Sequence, residues 1–424
     1  LNFYKKIIQT SLFKITSLNS FSVVLKIGIG LITSKILAIF VGPSGMALVG
    51  NLRNFLTSLE NISTLGFQNG IVKYTAENEK NKNELQKIIS TVFISLLSIA
   101  VLLSGILFFT ASFWNEKIFG NNTEYLLVFK VLALVLPTYG LSIFLIAVIN
   151  GLGKFQKVIW INIIGNIIGL LISICLILQF KTIGALLAII VAPALLFVIT
   201  IYLVQKEIQI FQFVKFNFFD FKILKNLSSY SLMALVSSVL GPFIFLSIRN
   251  HIIQDLGIEQ AGYWETITRI SSYYLMFVST ILSVYFLPRL SKSQNNLETK
   301  NVFWQFYKYI LPVFILGLTI IYFGRFFIVE MLFTKEFLPV TDLFFWQLLG
   351  DVFKVCSLIL GLQFFAKKMT SAFIVTELFS LSVLYFASLC FTELFHIEGI
   401  VMAYAFQNFV YLIVLSIYFR KSLF

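Results

Sequence analysis

Apolar stretches of about 20 residues, separated by short polar connections, run the length of the chain. A helix needs roughly 20 apolar residues to cross the hydrocarbon core of a bilayer. The pattern therefore predicts an all-α integral membrane protein. Spans are expected near residues 20–41, 46–71, 88–112, 124–149, 157–180, 182–204, 227–248, 262–287, 303–324, 340–364, 370–391 and 398–419. The second and eighth of these twelve are polar enough for a hydropathy scan to pass over.

Composition agrees with the pattern. Of the 424 residues, 58% are hydrophobic and 12% are charged, whereas a soluble domain carries about 25% charged residues. A formal net charge of +13 would raise nucleic acid as a partner for a soluble protein. Here the basic residues lie mainly in connections on alternate sides, so nucleic acid is not expected. With the amino terminus inside, inner segments hold most of the connecting Lys and Arg. The outer ones hold Lys117, Lys181, Arg249, Arg325 and Lys335. By the positive-inside rule both termini are cytoplasmic, and the protein is expected to be multi-pass in the cytoplasmic (inner) membrane. Residues 1–19, with Lys5, Lys6 and Lys14, read as a retained amphipathic lead-in.

The longest inner connection, 205–226, contains the basic and aromatic run KFNFFDFK, a composition suited to the membrane interface. It divides the chain into an N-terminal six-helix lobe (1–204) and a C-terminal one (227–424). An offset of 216 places Gly45 on Ala261, Arg53 on Arg269 and Lys73 on Arg289, an echo of internal duplication. Two such lobes around a central cavity form a common transporter plan. The outer connections leave no room for a catalytic domain. GLGK at 151–154 lacks the spacing of a phosphate-binding loop, so no enzyme activity and no cofactor are expected. GNIIG at 165–169 reads as a helix-packing element. Cys175, Cys356 and Cys390 lie in apolar runs, and His251 and His396 fall in expected loops far apart. That arrangement offers neither disulfide spacing nor a metal site.

An ionised side chain at mid-bilayer costs roughly 2.5–3.5 kcal/mol on insertion scales, so each one needs a reason. Lys26 and Lys35 fall in the first span, Arg53 and Glu60 in the second, and Lys130 in the fourth. Glu265 and Arg269 fall in the eighth, Asp351 and Lys354 in the tenth, and Glu377 in the eleventh. In the second span, Arg53, Thr57, Glu60 and Thr64 lie within about 60° of one another at helical spacing. Asn51, Asn54, Ser58 and Asn61 cover the adjoining face. This face is either a cavity wall or a polar helix–helix seam. Glu265 and Arg269 are four apart and Asp351 and Lys354 three apart, so each couple could pair, couple transport to ions, or meet a ligand. Lys26 and Lys35 lie about 180° apart on a straight helix, and KIGIG at 26–30 offers glycines for a bend. Lys35 and Lys130, near the outer surface, could instead snorkel to the interface. In the N-terminal half, four cations face Glu60 alone. A low-dielectric cavity of that sign concentrates anions, and Lys and Arg suit phosphate oxygens.

The run KIGIGLITSKILAIFVGPSGMALVGNLRNF (26–55), followed by FQNGIVKYTAE (67–77), SLMALVSSVLGP (231–242), SVYFLPRLS (283–291) and DLFFWQLLGDVFKV (342–355), resembles the Wzx-type flippases. This group includes O-antigen translocases and lipid III flippases. It belongs to the MOP superfamily, with the multidrug and toxic-compound (MATE) exporters and the lipid II flippases. The likeness covers essentially the whole chain. It implies a MATE-like fold of about twelve helices in two lobes around a cationic cavity, and alternating access. It also implies a polyprenyl-diphosphate-linked oligosaccharide as cargo. Lys26, Lys35, Arg53, Asp351, Lys354 and Glu377 occupy family-like runs that also carry such charges. Arg269 departs from the common-antigen pattern and resembles the lipid II flippases instead.

Two function classes follow. A flippase would take the diphosphate headgroup on Lys26, Arg53, Lys35, Arg269, Lys354 and Lys130. Asn51, Asn54, Thr57 and Asn61 would form a polar wall, and Glu60, Glu265, Asp351 and Glu377 would serve ion coupling or pairing. Its partners would be membrane lipids and glycan polymerase or ligase machinery, with the flippase itself a monomer. A cation-coupled drug exporter would call for acidic groups in the N-terminal half, where Glu60 stands alone. A membrane-embedded glycan polymerase or ligase would need a large outer loop, and none is present.

Overall fold

The computed structural model describes residues 11–120, 122–206, 209, 213–225, 227 and 235–423. The start of the lead-in (1–10) lies outside the described residues. So do 228–234 of the expected seventh span, and with them part of the SLMALVSSVLGP run, and 207, 208, 210–212 and 226 of the connection between halves.

The described chain is helical throughout: α1 Ser11–Phe40, α2 Gly42–Ser63, α3 Gln68–Glu77, α4 Lys82–Phe109, α5 Ala111–Phe119, α6 Leu126–Gly151, α7 Phe155–Gln205, α8 Gly241–Asp255, α9 Ile258–Ile281, α10 Leu287–Lys292, α11 Asn296–Gln305, α12 Leu311–Phe323, α13 Arg325–Leu332, α14 Val340–Ala366, α15 Thr370–Tyr418 and α16 Arg420–Leu423. Eight helical stretches among the described residues are long and apolar enough to cross a membrane. The polar α2 is not among them, while the stretch containing α9 is.

Two of these stretches are too long for one crossing. At about 1.5 Å per residue, the 51 residues of α7 and the 49 of α15 far exceed a hydrocarbon core of roughly 30 Å. Each breaks at a residue with positive φ, Lys181 (φ 47°, ψ −120°) and His396 (φ 52°, ψ −135°). The chain then folds back on itself. A Cβ on Gly165 would strike Leu196, and one on Gly169 would sit 3.6 Å from Ala192, so GNIIG packs against the returning arm. A Cβ on Gly184 would collide with the carbonyl of Leu176, and one on Gly399 with that of Phe391. These close approaches require glycine. Counted as hairpins, α7 and α15 make the described helices consistent with twelve spans.

Backbone landmarks recur at a spacing of 215. Positive φ recurs at Gly42 and Gly257, at Gly153 and Lys368, and at Lys181 and His396. The close-packed Gly184 and Gly399 share the spacing. The sequence echo at 216 is therefore one residue out for the polar helices: the backbone register sets Arg53 on Thr268, beside Arg269.

Ahead of three prolines the helix widens. Proline lacks an N–H and crowds the carbonyl four residues back. Pro242, Pro288 and Pro312 each follow a five-residue π-turn, Val236–Leu240, Leu282–Phe286 and Phe306–Ile310 respectively. Such turns relieve the clash without ending the helix.

The chain divides into two compact units: the described residues of Leu1–Ile36 with Leu52–Val239, and Leu37–Asn51 with Leu240–Phe424. In the first, Phe67, Ile71, Leu85, Ile88, Phe144 and Val148 belong to one buried apolar cluster. In the second, α9 packs on the start of α2, where a Cβ on Gly262 would meet the carbonyl of Pro43. Near one end Trp304 Nε1 donates to the carbonyl of Leu423 at 2.9 Å, tying α11 to α16.

Candidate functional site

Helix α9 is polar on two faces, and each face organises a buried cluster in the second unit. On one face, Glu265 and Arg269 stand one turn apart. Arg249 Nη2 meets Glu265 Oε2 at 2.7 Å, and Arg269 Nη2 meets Oε1 at 3.4 Å. Arg249 Nη1 also donates to Asn51 Oδ1 at 3.5 Å, and Asn51 Nδ2 donates to Asn250 Oδ1 at 3.3 Å. The Arg249 guanidinium lies 5.0 Å from the centre of the Trp264 ring, which stacks on Phe245. Arg249, Glu265, Arg269 and Asn51 are at most 5% exposed. Gly50 makes the room, because a Cβ there would run into the Glu265 carboxylate and sit 2.7 Å from Arg249 Nη1.

Among the described residues the cluster holds two guanidiniums and one carboxylate, one positive charge in surplus. Among the described residues, Nε of both arginines is buried without a hydrogen-bond partner. Buried charge is tolerated only where partners compensate it. Surplus cation and unfilled donors together suit a further anionic group.

On the opposite face of α9, Ser271 Oγ (2.7 Å) and Tyr274 OH (2.5 Å) donate to Asp351 Oδ2. Tyr404 OH donates to Oδ1 at 2.7 Å, and Gln347 Nε2 reaches Oδ2 at 3.4 Å. Asp351 is fully buried. Lys354 Nζ lies 5.5 Å from the centre of the Tyr404 ring and interacts electrostatically with both Asp351 and Glu377. Among the described residues no ion pair joins Asp351 to Lys354. The Asp351 carboxylate is held by hydroxyls instead.

In the first unit the polar face of α2 is largely self-satisfied. Thr57 Oγ1 donates to the carbonyl of Arg53 at 2.9 Å, Asn61 Nδ2 to that of Thr57 at 2.7 Å, and Thr64 Oγ1 to that of Glu60 at 3.0 Å. Ser58 Oγ reaches the carbonyl of Val239 at 3.3 Å. Arg53 and Glu60 are half-buried. Asn54 Nδ2 is buried with no partner among the described residues. Lys26, on α1, and Lys130, near the start of α6, are exposed, and Lys35 is half-buried. Glu377 is half-buried on α15.

The structure thus joins Glu265 with Arg269 and places Asn51 in the same cluster. Two expectations need correction. Arg249, placed outside the membrane span, is 1% exposed on α8. His251, expected in a loop, lies on the same helix, with Nδ1 3.2 Å from Asp255. Helix α8 continues to Asp255, through the polar residues at which the sequence pattern ends the span. Ser271, Tyr274 and Tyr404 escaped sequence reasoning altogether, since hydroxyls scattered in apolar helices carry no distinctive spacing.

A family model described as polysaccharide biosynthesis protein matches residues 12–294. The lipid III flippase of Escherichia coli (strain K12) is 28% identical over 375 residues, covering 88% of this chain and 90% of the relative. The lipid III flippase of Shigella flexneri matches to the same extent. Among solved structures, an inward-facing multidrug resistance MATE family transporter of the MOP superfamily superposes with a TM-score of 0.77 at 13% identity, covering 94% of both chains. A MOP superfamily transporter from Pyrococcus furiosus, described as having a binding pocket of reverse polarity, gives 0.69 at 13% identity, covering 97% of this chain and 95% of that one. The fold is that of the MATE transporters.

Proposed function

The chain belongs to the polysaccharide biosynthesis protein family, and we propose that it is a flippase rather than an enzyme. It moves a polyprenyl-diphosphate-linked oligosaccharide, such as an O-antigen repeat unit, from the cytoplasmic to the periplasmic face of the inner membrane by alternating access. The observation that carries this reading is the near end-to-end likeness to two lipid III flippases. The sign of the intramembrane charge supports it, since cations predominate where an anionic headgroup must pass.

In this reading Arg53 and Lys26 of the N-terminal half bind the diphosphate, with Lys35 and Lys130 assisting near the outer side. Asn54, with its unfilled donor, meets a sugar hydroxyl, and Thr57 and Asn61 fill the polar face beside it. In the C-terminal half Arg269 presents the surplus positive charge of its cluster, and Lys354 provides a second cation. Asn51 and Glu265 hold the arginines in place. Asp351, Glu377 and Glu60 serve ion coupling. Two six-helix lobes, 1–204 and 227–424, both termini in the cytoplasm and a monomeric working unit complete the proposal. Polymerase or ligase machinery would receive the product. An Arg53→Ala variant, expressed at normal level, should lose most export of the lipid-linked glycan. Undiminished export would remove Arg53 from the headgroup site. The exporter reading draws on the fold likeness alone, at 13% identity, and the excess of intramembrane cations argues against organic cations as cargo.

A further inference from the structure

Residues 213–225, which contain KFNFFDFK, are fixed in place by side chains near the start of α4. Gln86 Nε2 and Ser90 Oγ each donate to the carbonyl of Phe213 at 3.0 Å. Ser90 Oγ also accepts the N–H of Lys215 at 3.1 Å. Thr91 Oγ1 accepts the N–H of Asp220 at 2.9 Å and reaches the carbonyl of Phe218 at 3.5 Å. All these bonds attach to the backbone of the segment, so they set which way its side chains turn. Phe213, Val214, Ile223 and Leu224 turn inward and pack on the buried cluster around Leu85 and Ile88. Phe216 (80% exposed), Phe221 (68%) and Phe219 (43%) turn outward. Lys215 and Lys222 are exposed among them.

Three phenylalanines held out of the protein by backbone bonds make an apolar patch that needs a cover. The anchoring residues lie within the first ten of a 28-residue spanning helix, which puts the patch at one boundary of the hydrocarbon core. Aromatic rings interleaved with lysines at that depth match a surface with apolar tails below and phosphate above. The Asp220 carboxylate is turned back onto the N–H of Lys222 at 2.8 Å.

We propose that residues 213–225 form a strap that binds anionic phospholipid at the membrane interface: Phe216, Phe219 and Phe221 enter the acyl region, and Lys215 and Lys222 hold lipid phosphates. Its assignment to the cytoplasmic leaflet rests on the orientation proposed above. The lipid contact itself does not.

The test uses the full chain in nanodiscs, with the parent protein as a blank for its five tryptophans. Phe216→Trp and Phe221→Trp each place a reporter on the outward face, where the exposed site tolerates the larger ring. The added fluorescence should be quenched by phospholipid brominated on its acyl chains and shielded from aqueous iodide. Quenching should be stronger when the brominated lipid is phosphatidylglycerol than when it is phosphatidylcholine. Adding Lys215→Gln and Lys222→Gln should abolish that difference. Quenching by iodide without quenching by brominated lipid would place the strap in water and overturn the proposal. Shielding from both quenchers would show protein covering the patch and would also overturn it. Equal quenching by the two lipids in the parent strap would overturn the selectivity for anionic headgroups.

Discussion

Glu265→Gln tests the charge arithmetic of the buried cluster on α9. The substitution keeps the shape of the side chain and removes its charge. Arg249 and Arg269, at 2.7 and 3.4 Å from the carboxylate, then share no anion among the described residues. Among the described residues the other acceptor of an Arg249 hydrogen bond is Asn51 Oδ1, at 3.5 Å, too long to compensate. Gly50 contributes no side chain that could move in. Breaking a buried ion pair from one side costs about 3–5 kcal/mol. For a chain of this length that corresponds to a fall in Tm of about 3–10 °C, given roughly 2–4 °C per kcal/mol at 150–250 residues and less for larger proteins. Arg249→Met is the contrasting variant. It fills similar space and leaves Glu265 and Arg269 as a one-to-one pair. Thermal unfolding of both variants in nanodiscs should show Glu265→Gln as clearly the worse. A Glu265→Gln protein as stable as its parent, or an Arg249→Met protein less stable than Glu265→Gln, would refute the reasoning.

Further outcomes follow from particular contacts. Gly184→Ala and Gly399→Ala should each cost about 1–3 kcal/mol by overpacking, because both methyls strike a backbone carbonyl. Gly105→Ala, with open space around it, should be tolerated in the same unfolding assay. Lys181→Gly and His396→Gly should each raise stability by about 1 kcal/mol, since positive φ strains a residue with a Cβ; a loss of stability would show that the native side chains are needed at the hairpin. Asp351→Ala leaves the hydroxyls of Ser271, Tyr274 and Tyr404 without their acceptor and should destabilise by at least about 2 kcal/mol. Tyr274→Phe or Tyr404→Phe alone should cost less.

Much of the fold was legible because lipid imposes a simple rule on length and polarity. The hairpins of α7 and α15 turn at Lys181 and His396, within the breaks read between apolar runs. The pairing of Glu265 with Arg269 was legible because helical spacing puts residues four apart on one face. Arg249 was hidden by a span boundary set seven residues short of Asp255, the last residue of α8. The partners of Asp351 lie 80, 77 and 53 positions away, and no local pattern announces contacts at that range. The polar face of α2 illustrates a different gap. Its spacing was read correctly, but spacing does not reveal that Thr57 and Asn61 donate to their own helix.

The flippase reading is tested most directly by depleting the protein in cells and measuring polyprenyl-diphosphate intermediates by mass spectrometry, with their sidedness read from access to a periplasmic glycan-modifying enzyme. One lipid-linked oligosaccharide should accumulate and stay protected on the cytoplasmic side. Intermediates unchanged in amount and still reaching the periplasm, alongside altered drug sensitivity, would contradict the flippase reading.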